Sequence, residues 1–232
     1  MRDDICTIPI SEVFETVCGC PVCRMFDTVQ GRILDYTMGS AKMEPDVRQE
    51  TNRIGFCSSH LDMMLHRSGR LGLALMLESH LNEILNTHLS KNGLFDKSPM
   101  KKTGELSKME SSCFICEKIN WGMERMVDMI FRLYESESDF RRLFDAQDDF
   151  CLSHYTLLMS GANKKTMPTH HADFTKVLVS ITSAHLKILS ENVHKYCGLY
   201  DYRSAGQDPA ESEEYRDAVE KAVAFLSAKE LD

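Results

Sequence analysis

With 232 residues and 43% hydrophobic content the chain can close a core of its own, and its longest strongly apolar run, Leu71 to Leu77, is too short to cross a bilayer. A net charge of -8 opposes a phosphate backbone, so nucleic-acid binding is not expected; the one Lys-rich stretch, Lys97 to Lys108, is short. Nine cysteines, an odd number, suit metal or thiol chemistry in a reducing compartment better than a disulfide scaffold.

Residues Met1 to Ile10 contain early acids and no long apolar stretch, so no secretory signal is expected and the cytoplasm is the expected location. Ser11 is placed to cap a short helix through Val17, with Val13, Phe14 and Val17 inward, before Gly19 turns the chain. From Val22 to Met38 the residues Val22, Met25, Phe26, Val29, Ile33 and Tyr36 recur at three- and four-residue spacing and predict one apolar helical stripe. A short helix follows, with Pro45 in its first turn and Gly55 as its exit. Cys57 to Arg67 reads as helix, Gly69 interrupts, and Leu71 to Leu89 predicts a long helix with Leu71, Leu75, Leu81, Ile84 and Leu85 inward. Its first turns are apolar nearly all round, as in a helix buried on several sides or lying in an oligomer interface.

Residues 91–112, with Gly93, Pro99, Gly104 and several lysines, read as a linker. The segment from Cys116 to Glu135 then predicts a helix with Ile119, Met123, Met126, Val127, Ile130 and Leu133 on its core face. Asp139 to Ala146 connects it to Cys151, and Pro168 opens a long helix to about Tyr200 that offers Phe174, Val177, Leu178, Ile181, Leu186, Ile188, Leu189 and Val193 for burial. A last amphipathic helix, Glu211 to about Lys229, aligns Tyr215, Val219, Val223 and Leu226. No segment reads as a strand. The expectation is an all-α, internally duplicated helical bundle: a first half over 1–90, the linker, a second half over 113–203, and a C-terminal helix within 204–232 packing on the core.

The duplication rests on one pattern used twice. Cys20-Pro-Val-Cys23 precedes Cys57-Ser-Ser-His60, and Cys113-Phe-Ile-Cys116 precedes Cys151-Leu-Ser-His154, a repeat of about 93 residues. Each half supplies three thiols and one imidazole, the donor set of a closed tetrahedral zinc site. Cys-x-x-Cys sets two sulfurs on one side of a tight loop, and Cys-x-x-His brings sulfur and imidazole to one helical face. Two zinc ions per chain are therefore expected, with an iron–sulfur cluster and a redox switch as equally weighted alternatives and an open catalytic zinc as the weakest. Cys20 and Cys23 could join either late pair; the similar spacing within each half points to pairing inside the half.

Cys6, Cys18 and Cys197 are left over, Cys18 as a small half-buried residue, or else a resolving thiol or swap-in ligand, and Cys197 as a core residue. Arg48 and Arg142, each nine residues before a late cysteine, are placed either to donate to the sulfurs or to form surface ion pairs. His80, His88, His185 and His194 read as lone helical histidines. Glu191-Asn-Val-His194 matches half of a di-iron motif whose second half the chain lacks. No phosphate loop, nucleophile elbow or His-Glu-x-x-His occurs.

At Met43-Glu-Pro-Asp-Val-Arg48, Gly55-Phe-Cys-Ser-Ser-His60, Arg70-Leu-Gly-Leu-Ala-Leu75, Phe150-Cys-Leu-Ser-His154 and Asp201-Tyr-Arg203 the sequence resembles a bacterial family of unknown function, common in anaerobic Firmicutes. The likeness covers almost the whole chain, and it implies no activity. Some members carry an automatic label as transporter substrate-binding proteins, which fits poorly with a Met1 to Asp35 segment that shows no export signal. The functional expectation is a zinc-binding helical protein acting on another protein or a second copy of itself, with a thiol-based redox or metal-responsive sensor as the alternative and an enzyme as a weaker one.

Overall fold

Proline and glycine set the helix ends. In the computed structural model, which describes residues 10–89, 99–199 and 215–228, the chain forms eleven α-helices and, among those residues, no strand. They are α1 (Ile10–Glu15), α2 (Pro21–Met38), α3 (Pro45–Ile54), α4 (Ser58–His66), α5 (Arg70–Glu83), α6 (Pro99–Glu110), α7 (Phe114–Ser136), α8 (Ser138–Asp145), α9 (Leu152–Gly161), α10 (His171–Gly198) and α11 (Ala218–Ser227). A 3-10 turn, Ala41–Met43, precedes α3, and α5 winds on as a π-helical turn, Ile84–Leu89. Pro21, Pro45 and Pro99 each occupy the first position of a helix, where the missing N–H leaves no intrahelical bond unmade.

The chain forms two compact units. The first, Asp27–Glu124 among the described residues, packs α3 on α5 and α4 on α5. Its core is aliphatic and methionine-rich, with Val29, Ile33, Leu34, Met64 and Met76 buried. Arg48 ties it together from α3, donating to the carbonyls of Leu75 at 2.8 Å and Lys42 at 3.3 Å.

The second unit, Ile8–Phe26 with Arg125–Asp232, packs α1 on α8 and α10 on α8, α9 and α11. Its core is aromatic. Phe144 is fully buried, with ring centroids 4.9 Å from Phe174, 5.0 Å from Phe150, 5.2 Å from Tyr134 and 5.7 Å from Phe14. The α8 sequence Ser-Asp-Phe-Arg-Arg-Leu-Phe-Asp explains why, since Phe140 and Phe144 are one helical turn apart and both inward.

The helical stripes of α2 and α7 are buried as their spacing predicts: Val22, Met25, Val29 and Ile33 in α2, and Ile119, Met123, Met126, Val127 and Ile130 in α7. Other expectations are corrected. On α5 the inward residues are Gly72, Leu73 and Met76, while Leu71 is 74% and Leu81 62% exposed. The cause is Gly72: a Cβ there would lie 2.7 Å from the Met38 carbonyl oxygen, so the close approach of α5 to the end of α2 requires glycine and fixes the rotation of the helix.

On α11 Ala218 and Phe225 face inward, and Val219, Val223 and Leu226 are exposed. Both sets repeat at helical spacing, so periodicity alone could not choose between them. Val17, Leu186 and Ile188 are exposed rather than buried. Within the expected linker, residues 99 to 110 form α6, which packs on the π-helical turn.

Candidate metal centres

All four motif pairs stand at helix starts. Cys20 and Cys113 immediately precede α2 and α7, with Cys23 and Cys116 in the first turns; Cys57 and Cys151 are the N-terminal flanking residues of α4 and α9, with His60 and His154 one turn on. The positive end of each helix favours thiolates at these positions.

The structure brings the eight expected residues into two clusters, and it pairs them across the halves. Cys57 and His60 join Cys113 and Cys116 in the first unit; Cys20 and Cys23 join Cys151 and His154 in the second. Pairing inside each half, expected from the spacing, is thereby corrected. In the first cluster His60 Nδ1 lies 3.2 Å from Cys57 Sγ and 3.4 Å from both Cys113 and Cys116 Sγ, and Cys57 and Cys116 sulfurs are 3.9 Å apart. In the second, His154 Nδ1 lies 3.2, 3.3 and 3.5 Å from the sulfurs of Cys151, Cys23 and Cys20, with Cys23 and Cys151 sulfurs 3.7 Å apart. Within each cluster all four donor atoms lie within 4.8 Å of one another. Each is a four-cornered donor shell that could hold one metal ion.

Helix length is the reason for the crossing. The 18 residues of α2, at about 1.5 Å each, set its ends about 27 Å apart, so the segment that follows it starts far from Cys20 and Cys23. Loop-closure entropy does not oppose this strongly. Lengthening a closed loop from about 34 to about 130 residues is two doublings, or about 1.2 kcal/mol, which packing easily exceeds.

Local bonds then hold the paired turns together. In the first unit Phe114 N–H donates to Gly55 O at 3.0 Å and Ser112 Oγ to Ile54 O at 2.6 Å, joining the turn before Cys113 to the turn before Cys57. In the second, the Arg24 guanidinium donates to the carbonyls of Val13, Thr16, Cys18 and Gly19, and the Gln147 amide donates to Phe14 O at 2.7 Å and Leu143 O at 2.9 Å. Arg24 thus moulds the loop that presents Cys20. Sequence reasoning missed both residues, although Arg24, adjacent to Cys23, was open to notice.

Gln30 was also missed, and no signal in the sequence marks it. Its amide lies 3.1 Å from His60 Nε2. The atom placed there is the amide nitrogen, which donates to Nε2; a metal ion on Nδ1 would put the ring proton on Nε2, and the same amide, turned over, would accept it through its oxygen and fix the ring plane. Gln30→Leu is expected to weaken metal binding at the His60 cluster by about 10- to 100-fold in competition with a chromophoric chelator, leaving the His154 cluster unchanged. Equal losses at both clusters would remove this role for Gln30.

Electrostatics divide the clusters. In the second, hydrogen bonds from Cys20 and Cys23 hold the Cys151 thiol well below its usual value, while hydrogen bonding to Cys151 and Cys20 pushes Cys23 far up. Burial favours neutral His154, but hydrogen bonds to the Cys151 and Cys20 sulfurs outweigh it and raise the imidazole to about 9. In the first, burial lowers His60 below its ordinary 6.5. Burial also pushes Cys116 up to about 12, with Cys113 and Cys57 adding to it. Burial works against Cys57, whose thiol is nevertheless lowered by the His60 backbone N–H and the Cys113 side chain.

A metal ion at Nδ1 displaces any proton there, so these directions predict an order of release. Below pH 9 His154 carries a proton that binding must expel, whereas His60 becomes protonated only below its lowered value. On acidification from pH 8 the His154 cluster is expected to lose metal first, measured as two separate release steps, the earlier one abolished in Cys151→Ala. Earlier loss from the His60 cluster would contradict the reading.

Neither Arg48 nor Arg142 donates to a ligand sulfur: Arg48 binds backbone carbonyls as described, and Arg142 forms an exposed ion pair with Asp139 at 2.9 Å. Cys18 and Cys197 are both exposed, which corrects the half-buried and core roles expected of them, and Cys6 lies outside the described residues. His80 Nδ1 donates to Asn52 O at 3.0 Å, and His194 is exposed.

The family of unknown function DUF6062 matches residues 1–231. The chain belongs to this family. Neither curated proteins nor solved structures offer a match to it. For this DUF6062 chain the site chemistry consists of two clusters of three cysteines and one histidine able to hold metal ions, and no described helix is long and apolar enough to cross a membrane.

Proposed function

We propose that the chain binds two zinc ions, one per cluster, as permanent fastenings of a helical protein that acts by non-covalent contact with another protein. The donor geometry carries this reading. Zinc bonds of about 2.3 Å to sulfur and about 2.0–2.1 Å to nitrogen imply tetrahedron edges of about 3.8 Å between sulfurs and about 3.6 Å between sulfur and nitrogen. The sulfur–sulfur distances of 3.7 and 3.9 Å and the sulfur–nitrogen distances of 3.2 to 3.5 Å lie near those edges. An iron–sulfur cluster places several atoms of its own between its ligands and needs a wider donor shell.

Four protein donors fill a tetrahedral ion, which favours a structural over a catalytic role. Zinc bound this way supplies a redox-inert cross-link between distant segments. The free thiols of the described cysteines suit a reducing compartment such as the cytoplasm. The contact role is supported by the exposed leucines of α5 and the π-helical turn after it, Leu71, Leu81, Leu85 and Leu89, which offer apolar surface to a partner or a second copy of the chain.

Elemental analysis of protein purified without oxygen tests the metal. Two zinc ions per chain and no visible absorbance are expected; iron with sulfide would overturn the reading. A second reading, metal release on oxidation, is supported by Cys18, an exposed thiol two residues from Cys20. Peroxide would oxidise two thiols to a disulfide and be reduced to water, freeing the ion of the second cluster. Zinc retained under stoichiometric peroxide in wild type, or released equally in Cys18→Ser, would remove this second reading.

A further inference from the structure

The two clusters share a donor set, but their surroundings differ at one position. Two residues before the ligand cysteine stands Gly55 in the first unit and Asp149 in the second. Beside Gly55 the space for a side chain is filled, with His80 and Met109 atoms 3.3 to 3.4 Å from the Cβ position. Beside Asp149 the fold leaves a cleft of about 830 Å³, the size of a small-molecule site, with Cys20 and Cys23 on one side and Ile188 and Phe225 on another.

Asp149 is only 8% exposed, yet its Oδ1 has no hydrogen-bond partner. Its Oδ2 stands 3.9 Å from His185 Nε2, beyond hydrogen-bond reach. Phe225 lies against the His185 ring, centroids 5.8 Å apart and planes at 26°, which holds the imidazole in place. Oδ1 is itself closed off from the cleft, so a donor from outside would meet the carboxylate at Oδ2, which no protein donor reaches within hydrogen-bond distance either. Charge says which kind. Asp148 and Glu220 also line the cleft, whereas Asp217 is neutralised by Lys221 at 2.8 Å. Three thiolates around one divalent ion add a further negative charge.

We propose that this cleft binds a small organic ammonium or guanidinium ion with an apolar body, its N–H groups donating to Asp149 and Glu220 and its body resting on Ile188 and Phe225. The inference rests on the two-zinc reading only for the charge beside Cys20 and Cys23. It gives the second unit a ligand beside the position that, at Gly55 of the first, His80 and Met109 fill.

The test is calorimetric titration of the full chain with phenethylamine, hexylamine and agmatine, against 3-phenylpropionate as an anion of similar size, with zinc content measured on every sample. At least one amine is expected to saturate with a dissociation constant of about 1 mM or tighter, to weaken about tenfold or more in Asp149→Asn, and to outbind the carboxylate. No saturation by any amine, equal binding of 3-phenylpropionate, or unchanged affinity in Asp149→Asn would overturn the proposal. If Asp149→Asn loses zinc, Glu220→Gln on the cleft wall decides: about threefold weaker amine binding supports the proposal and unchanged binding refutes it. Amine binding by a chain without zinc would support the cleft while removing the zinc reading, so the two failures are distinct.

Discussion

Removing Cys20 and Cys151 together is expected to lose one metal ion per chain, not two. Cys20→Ala and Cys151→Ala each empty the second cluster, so the double variant has no more to lose there. Cys20→Ala combined with Cys57→Ala, by contrast, damages both clusters and should leave no ion. Pairing within each sequence half would reverse the two results, and elemental analysis of the two double variants therefore decides the connectivity. The stability effect should be large as well. Each cluster ties segments far apart in sequence, by up to 134 residues in the second, and structural zinc contributes folding free energy directly. Loss of one ion is expected to cost on the order of 4 kcal/mol and to lower the Tm by about 10 °C or more. A double variant that keeps its Tm would show that the ions are not fastenings.

Phe144→Ala is expected to cost about 4 kcal/mol, as large as the loss of an ion. The ring is fully buried and central to the aromatic core of the second unit, touching Phe14, Tyr134, Phe150 and Phe174. Phe150 immediately precedes Cys151, so the cavity left by Phe144 should loosen the second cluster and speed its exchange of metal with a chelator. Leu226→Ala, at an exposed position of α11, should change stability by no more than about 0.5 kcal/mol. Denaturant unfolding of the two variants side by side checks the contrast; a small effect at Phe144 would mean that the core can collapse onto the gap.

How far the fold was legible depended on whether a helix had one apolar face or two. α2 and α7 have one main stripe, most of which is buried as spaced, although Phe26, Tyr36 and Leu133 are only half-buried and Leu34, Met38, Phe131 and Tyr134 are buried beside it. α5 and α11 have apolar residues on more than one side, and there a close approach at Gly72 or the burial of Phe225 chooses the face. The linker reading of residues 99 to 110 failed because the segment is polar and carries Gly104, while a helix needs only one side to rest on its neighbour. The residues of the two clusters were legible because sulfur and imidazole at fixed short spacings have few other uses. Gln30 was not, because a supporting amide is an ordinary residue until the fold sets it beside His60.

The sequence by itself determined the all-α class, the repeat and the eight cysteines and histidines that gather in the two clusters, all of which reside in short-range pattern: helical period, Cys-x-x-Cys and Cys-x-x-His. Only the tertiary structure decided which donors meet, which faces are buried and where a cleft remains. Those outcomes depend on rigid helix length and on close packing between segments up to 134 residues apart. Equal spacing in two repeats leaves such distances undetermined, because a repeat fixes what each half carries and not which half it will face.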